Sequence, residues 1–193
     1  MRGLVFSLIG LCLALPASVW ADEAEVCPPL PEAIPRGLNV HTSLGPALWL
    51  GDVGSYSQVG LAFRFGAGYE LLPWVGLEAV WTTGHHATDQ PAPPAPGTFT
   101  THALHAVVKA NLPLERFDLF AKGGFGMQWS KPDILVRVEG FDGQLCAAWL
   151  AGLGFAWHTP RKHVWLGAEV AVFGAIDFPG YLLSATGVLG FTL

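Results

Sequence analysis

An alternation of apolar with small or polar residues recurs through most of this chain, and it constrains the fold more than any other feature. Between positions 57 and 69, Val59, Leu61, Phe63, Phe65, Ala67 and Tyr69 take one side, and Gln58, Gly60, Ala62, Arg64, Gly66 and Gly68 the other. Successive side chains of a strand point to opposite faces. The segment therefore reads as a strand with one greasy face and one narrow, partly charged face. In the fifth such segment Phe117, Leu119, Ala121, Gly123, Phe125, Met127 and Trp129 alternate with Asp118, Phe120, Lys122, Gly124, Gly126 and Gln128. The same pattern predicts strands near 38–50, 57–69, 74–83, 99–110, 117–129, 144–157, 163–174 and 181–193. The sixth departs from it, because Ala148, Leu150, Gly152, Gly154 and Ala156 make its inner face apolar too.

Composition says what the greasy faces meet. Only 13% of residues are charged, against about 25% in typical soluble domains. Eight tryptophans and 24 glycines accompany them. After the first 21 residues no apolar run reaches the length of a spanning helix. The nearest, 145–157, is too short and carries Gly152 and Gly154. In lipid only helices and closed barrels satisfy every backbone group. The expected fold is therefore all-β, an eight-stranded antiparallel up-and-down transmembrane β-barrel.

The N-terminus supplies the route to the membrane. Arg2, the apolar stretch Leu4 to Leu15, the break at Pro16 and the small residue Ala21 before Asp22 follow the order of a secretory signal cleaved after residue 21. Residues 22–37 carry Pro28, Pro29, Pro31 and Pro35. Proline removes ladder donors, so this segment is expected to stay outside the sheet as a periplasmic tail before the barrel at 38–193. The expected topology puts Cys27 and Cys146 near opposite ends, which favours two thiols over a disulfide. A net charge of −5 without a basic run excludes nucleic acid as a partner.

Connection lengths orient the barrel. Compact turns at 70–73, 111–116 and 158–162 alternate with 51–56, 84–98, 130–143 and 176–180. Short turns are periplasmic and longer loops external. The loops 84–98 and 130–143 are the candidates to meet a protein partner. In the second, Ile134, Leu135, Val136 and Val138 alternate in part with Arg137 and Glu139, which could add an exposed sheet edge.

Over residues 38–193 the chain resembles the small OmpA/OmpX-like outer-membrane barrel superfamily of Gram-negative bacteria. The likeness rests on the signal segment, the strand ladder and the C-terminal strand. There Leu189, Phe191 and Leu193 resemble the signal read by the barrel assembly machinery, although Gly187 is one place out of register and the last residue is not aromatic. The Ala, Gly, Pro and Trp usage adds a hint of the myxobacterial gliding-motility barrels. The resemblance implies outer-membrane lipid and the assembly machinery as partners, and interior ion pairs that block free passage.

By parity the inward face carries His41, Arg64, Glu78, His105, Lys109, Asp118, Lys122 and Glu169. An eight-stranded interior is just wide enough for side chains to fill, and desolvated charges there need partners. Arg64 with Glu78, and Lys109 with Asp118 or Lys122 with Glu169 across the lumen, are the expected pairs. A closed lumen follows; the alternative is a narrow polar path, as in OmpW-like barrels. Six tryptophans are expected near the membrane interfaces: Trp49, Trp81 and Trp129 externally, and Trp74, Trp157 and Trp165 on the periplasmic side. Parity turns Trp49, Trp74 and Trp165 inward.

Catalysis has a thinner basis. His41-Thr42-Ser43 resembles the His-x-Ser pair of lipid A deacylases, but it shares an inward row and has no acid placed beside it. His85-His86 with Asp89 could hold a metal, yet reads as a solvated loop. No metal, cofactor or enzymatic activity is expected. The leading function is a closed scaffold or anchor, the second a narrow channel for small solutes and the third a lipid-modifying enzyme.

Overall fold

The computed structural model describes residues 37–55, 57–88, 97–131, 145–159, 163–176 and 180–193. The signal segment, residues 22–36 with Cys27, and most of the loops 84–98 and 130–143, including Asp89, lie outside the described residues. Eight strands follow in order: β1 (Leu38–Gly51), β2 (Gly60–Leu72), β3 (Val75–Ala87), β4 (Thr98–Leu114), β5 (Phe117–Lys131), β6 (Cys146–His158), β7 (Val164–Ala175) and β8 (Gly180–Thr192). Each pairs antiparallel with the next, and β8 closes on β1. The chain is an all-β, up-and-down, closed eight-stranded barrel. No described helix is long and apolar enough to cross a membrane.

Several strand ends lie away from their expected positions. β2 runs from Gly60 to Leu72 rather than from 57 to 69, β3 runs past 83 to Ala87, β4 continues to Leu114, β5 continues to Lys131, and β6 runs from Cys146 to His158 rather than from 144 to 157. His85 and His86, expected in a loop, therefore belong to β3, where they pair with Thr100 and Phe99. The β4–β5 connection shrinks to a hairpin turn at Glu115 and Arg116, with φ of 53° at Glu115. In β3 the outward row turns polar at Thr83 and His85 while backbone pairing continues, whereas in β4 the outward Leu112 and Leu114 carry the apolar row past Asn111.

The two faces separate cleanly. Along β2, Leu61, Phe63 and Phe65 are exposed while Ala62 and Arg64 are buried. Phe125 and Leu153 are 72% and 67% exposed on the outside of β5 and β6. A continuous apolar wall of this kind marks a membrane surface. The β6 inner face, apolar in the sequence, is buried at Ala148, Leu150 and Ala156.

Register decides how wide the interior is. Stepping from Leu38 through the directly opposed residues Tyr69, Leu77, Val108, Gly123, Ala151, Val172 and Leu183 returns to β1 at Leu48, ten residues further along. That offset is the shear of the barrel, and it tilts the strands by roughly 35–45°. The lumen is layered. Toward the long-loop end Trp49, Phe99, Leu150, Phe173 and Leu182 form an apolar core, and the Asp52–Ser55 turn drops Val53 into it. Toward the tight-turn end Phe120, Ala156, Trp165 and Val188 form a smaller one.

Inward rings lie against glycines of the neighbouring strands: Trp165 on Gly190, His41 on Gly66 and Phe120 on Gly154. A Cβ at Gly190 would occupy the indole's place, whereas Gly123 has open space where a Cβ would go. Gly190→Ala is expected to cost about 1–3 kcal/mol by overpacking. Gly123→Ala is expected to leave stability unchanged or raise it by about 0.4–1 kcal/mol through the unfolded chain. Urea unfolding in detergent micelles checks both.

Candidate functional site

Six charged residues of the lumen form one alternating chain. Glu169 on β7 takes Arg64 on β2 through one oxygen (2.7 Å) and Lys122 on β5 through the other (3.2 Å). Lys122 also meets Glu78 on β3 at 3.0 Å. Glu78 lies 3.7 Å from Lys109 on β4, which reaches Glu70 on β2 at 3.0 Å. Asn39 and Asn111 each donate a side-chain hydrogen bond to Glu70, at 3.3 and 2.8 Å. Three cations and three anions thus succeed one another across five strands. Arg64 also donates to Ser184 on β8.

Aromatic surfaces complete the shell. The Lys109 ammonium lies 5.4 Å from the Phe120 ring centroid and 5.7 Å from that of Trp165, and Lys122 lies 5.0 Å from Phe120. Cations held over ring faces are stabilised by the ring quadrupole. His41 sits beside Lys122, with 3.5 Å between Nε2 and Nζ, and its ring centroid is 5.7 Å from that of Trp165. The Arg64–Glu169 pair has almost no access to water, its side chains being 2% and 4% exposed, and Glu70 at the end of the chain is half-buried. Removing one partner would leave the other charged and dry.

All eight sequence-predicted lumenal residues are buried: His41, Arg64, Glu78, His105, Lys109, Asp118, Lys122 and Glu169. Their pairing differs from expectation. Arg64 pairs with Glu169, not Glu78, and Asp118 pairs with His158 (2.7 Å), not Lys109. The Lys122–Glu169 pair is present. His105 stands apart, edge-on to Phe173 at 5.8 Å between centroids. Arg64 and Glu78 lie on adjacent strands, but cross-strand register sets Thr82 opposite Arg64 and Gly68 opposite Glu78.

Glu70, Asn111 and His158, which the sequence places in turns, are inward residues of β2, β4 and β6. Each continues the inward parity of its strand, past Gly68, Lys109 and Ala156 respectively. Extending the alternation one residue past each expected strand end finds them, and in β4 the outward Leu112 and Leu114 carry the apolar row on beyond Asn111.

The tryptophans divide. Trp49 and Trp165 are buried inside the lumen and do not face lipid. Trp74, inward by parity, is 59% exposed. It sits in the tight β2–β3 turn, where strand alternation no longer governs. A register shift between Glu70 and Leu72 precedes that turn. Trp81, Trp129 and Trp157 lie on the outward rows of β3, β5 and β6. On the outer wall Trp81, His102 and Trp129 stack in a row across β3, β4 and β5, with centroids 6.3 and 5.5 Å apart.

Other sequence candidates are separated by strand geometry. His85 is outward and bonded to Thr100 at 3.0 Å, while His86 is inward and stacked on Phe99 at 5.4 Å. Adjacent strand residues face opposite ways, so the pair does not converge. Among the described residues no three His, Cys, Asp or Glu side chains gather as metal ligands. His41 and Ser43 are both buried in the lumen.

A closed, lipid-faced, antiparallel barrel of eight strands is the outer-membrane type of β-barrel. Among solved structures the chain is similar to Neisserial surface protein A, with a TM-score of 0.63 and 14% identity over 81% of this chain and 97% of that one. It is also similar to Ail, the attachment invasion locus protein of Yersinia pestis, in complex with the heparin analogue sucrose octasulfate. There the TM-score is 0.54 and the identity 12%, over 82% of this chain and 99% of that one. No protein-family model and no curated protein matches the chain. At these identities the likeness is one of fold.

Glu169 joins two cations, so its loss should be felt twice. Glu169→Gln is expected to destabilise the barrel by about 3–5 kcal/mol, the cost of a broken buried pair. Replacing Arg64 with Met and Glu169 with Leu together is expected to recover most of that loss. A double-mutant cycle read by urea unfolding measures it.

Proposed function

We propose that this chain is an integral outer-membrane protein with a closed barrel and a structural or protein-interaction role. The barrel anchors the segment 22–37 and the external loops 84–98 and 130–143 for protein partners. The observation that carries this reading is the filling of the lumen. Trp49, Val53, Phe99, Phe173 and Leu182 pack at 4% exposure or less across the long-loop half. Beneath them the six alternating charges hold one another. An ion moving through would have to break desolvated pairs and then cross an apolar layer, and both steps are costly.

The lipid-modifying reading draws no support from its candidate pair. A nucleophile and its base need a route to substrate. His41 and Ser43 face the inside of the barrel, with His41 wedged between Lys122 and Trp165.

Single-channel recording in planar bilayers tests the closed reading, with heat-modifiable gel migration confirming that the protein has folded. Folded protein is expected to give no stable steps. Steps whose size changes with Glu78→Gln or Lys122→Met would replace the scaffold with a narrow channel.

A further inference from the structure

Pro46 stands in the middle of β1. Proline has no N–H to give a ladder, and within sheets it is confined to edges and bulges. A closed barrel has no edge to offer it. Toward β2 the pairing runs unbroken through Gly45–Ala62 and Pro46–Leu61. Toward β8 it runs from Asn39–Thr192 to Leu44–Gly187, stops, and resumes in the same register at Ala47–Ser184. Gly45 with Thr186 and Pro46 with Ala185 are the rows left out. The missing donor therefore faces β8. The other seven strand pairs cross the wall without such a gap; the irregularity between Glu70 and Leu72 lies beside the β2–β3 turn.

Side chains add little across this gap. Each row from Leu44–Gly187 to Ala47–Ser184 contains a glycine or an alanine, and cross-strand side-chain pairs are what reinforce a ladder. On the outer wall a groove of about 370 Å³ lies over Leu44 and Gly187, flanked by Thr42, Leu166 and Leu189. A Cβ at Gly187 would find its nearest atom, the Leu44 carbonyl oxygen, 4.0 Å away.

The lumen side is fastened instead. Arg64 on β2 is directly opposite Ser43 on β1. From there it reaches past β1 to donate to Ser184 on β8, and it pairs with Glu169 on β7 at 2.7 Å. One guanidinium thus ties the strand on one side of β1 to the two strands on the other. Hydrogen bonds from a charged donor are about twice as strong as neutral ones.

We propose that the β1–β8 seam is a latched lateral opening in the barrel wall: Pro46 leaves it unbonded at mid-height, and the Arg64 clasp on Ser184 and Glu169 holds it shut from within. Opening there joins the groove on the lipid side to the hydroxyls of Ser184 and Thr186 on the lumen side. The path is sideways through the wall and not along the lumen, so it stands apart from the roles of the loops and from conduction.

Amide hydrogen exchange on the full refolded protein in lipid nanodiscs, read residue by residue by NMR, tests the latch. Exchange through local opening reports the stability of each seam separately. The amides of Leu44 and Gly187, the next pair along from Pro46 on the same side of β1, are expected to exchange about ten-fold faster than those in the middle of β4 and β5. Pro46→Ala returns the donor and is expected to slow them about ten-fold. Ser184→Ala removes the hold on β8 and is expected to quicken them by a similar factor. Neither variant should alter exchange between β4 and β5. Seam amides as protected as those of β4 and β5 in the wild type overturn the proposal, and so do variants that leave the seam unchanged or shift both regions alike.

Discussion

Closure of the sheet is the constraint on which the rest of this structure depends. An apolar outer wall requires a hydrocarbon neighbour, and hydrocarbon offers no partner to a free backbone N–H or C=O. The β1–β8 pairing that removes the last edge, from Asn39–Thr192 to Gly51–Gly180, is therefore obligatory. It also has a geometric consequence. Closing with a ten-residue offset sets the tilt and width of the lumen, and hence which inward side chains face each other.

Within that fixed width the chain uses two ways of filling space. In the long-loop half large apolar side chains pack from several strands, with Val53 added from a connecting turn. In the other half charges alternate from strand to strand, with lysines shared between carboxylates and aromatic faces. Glycines make room for the rings: Trp165 lies on Gly190, and His41 on Gly66. The abundance of glycine is thus a packing feature of the interior as well as of the turns. The same arrangement supports the closed reading, because the two halves obstruct passage by different physics.

Much of the architecture was legible because strand parity is local. Arg64 and Ala62 face inward because Phe63 and Phe65 face outward, and no distant contact alters that. The ends were less legible. Glu70, Asn111 and His158 lie within a few residues of Pro73, Pro113 and Pro160, which read as turn signals in the sequence, yet each still belongs to its strand. The inward charges of the candidate site were readable as a set. Of their partners only Lys122 with Glu169 was readable: Arg64 meets Glu169 on a distant strand, and Asp118 meets His158 at the end of β6, where the sequence reads as a turn.

The sequence by itself determined that this chain would be an all-β barrel with an apolar outside and a charged inside, because two-residue alternation and lipid solvation act on each strand separately. Only the tertiary structure decided the lumen. Which charge meets which, where the apolar core sits, and which inward rings lie against which glycines all depend on the register accumulated around eight strands. That register is a property of the closed sheet as a whole, and no single strand carries it.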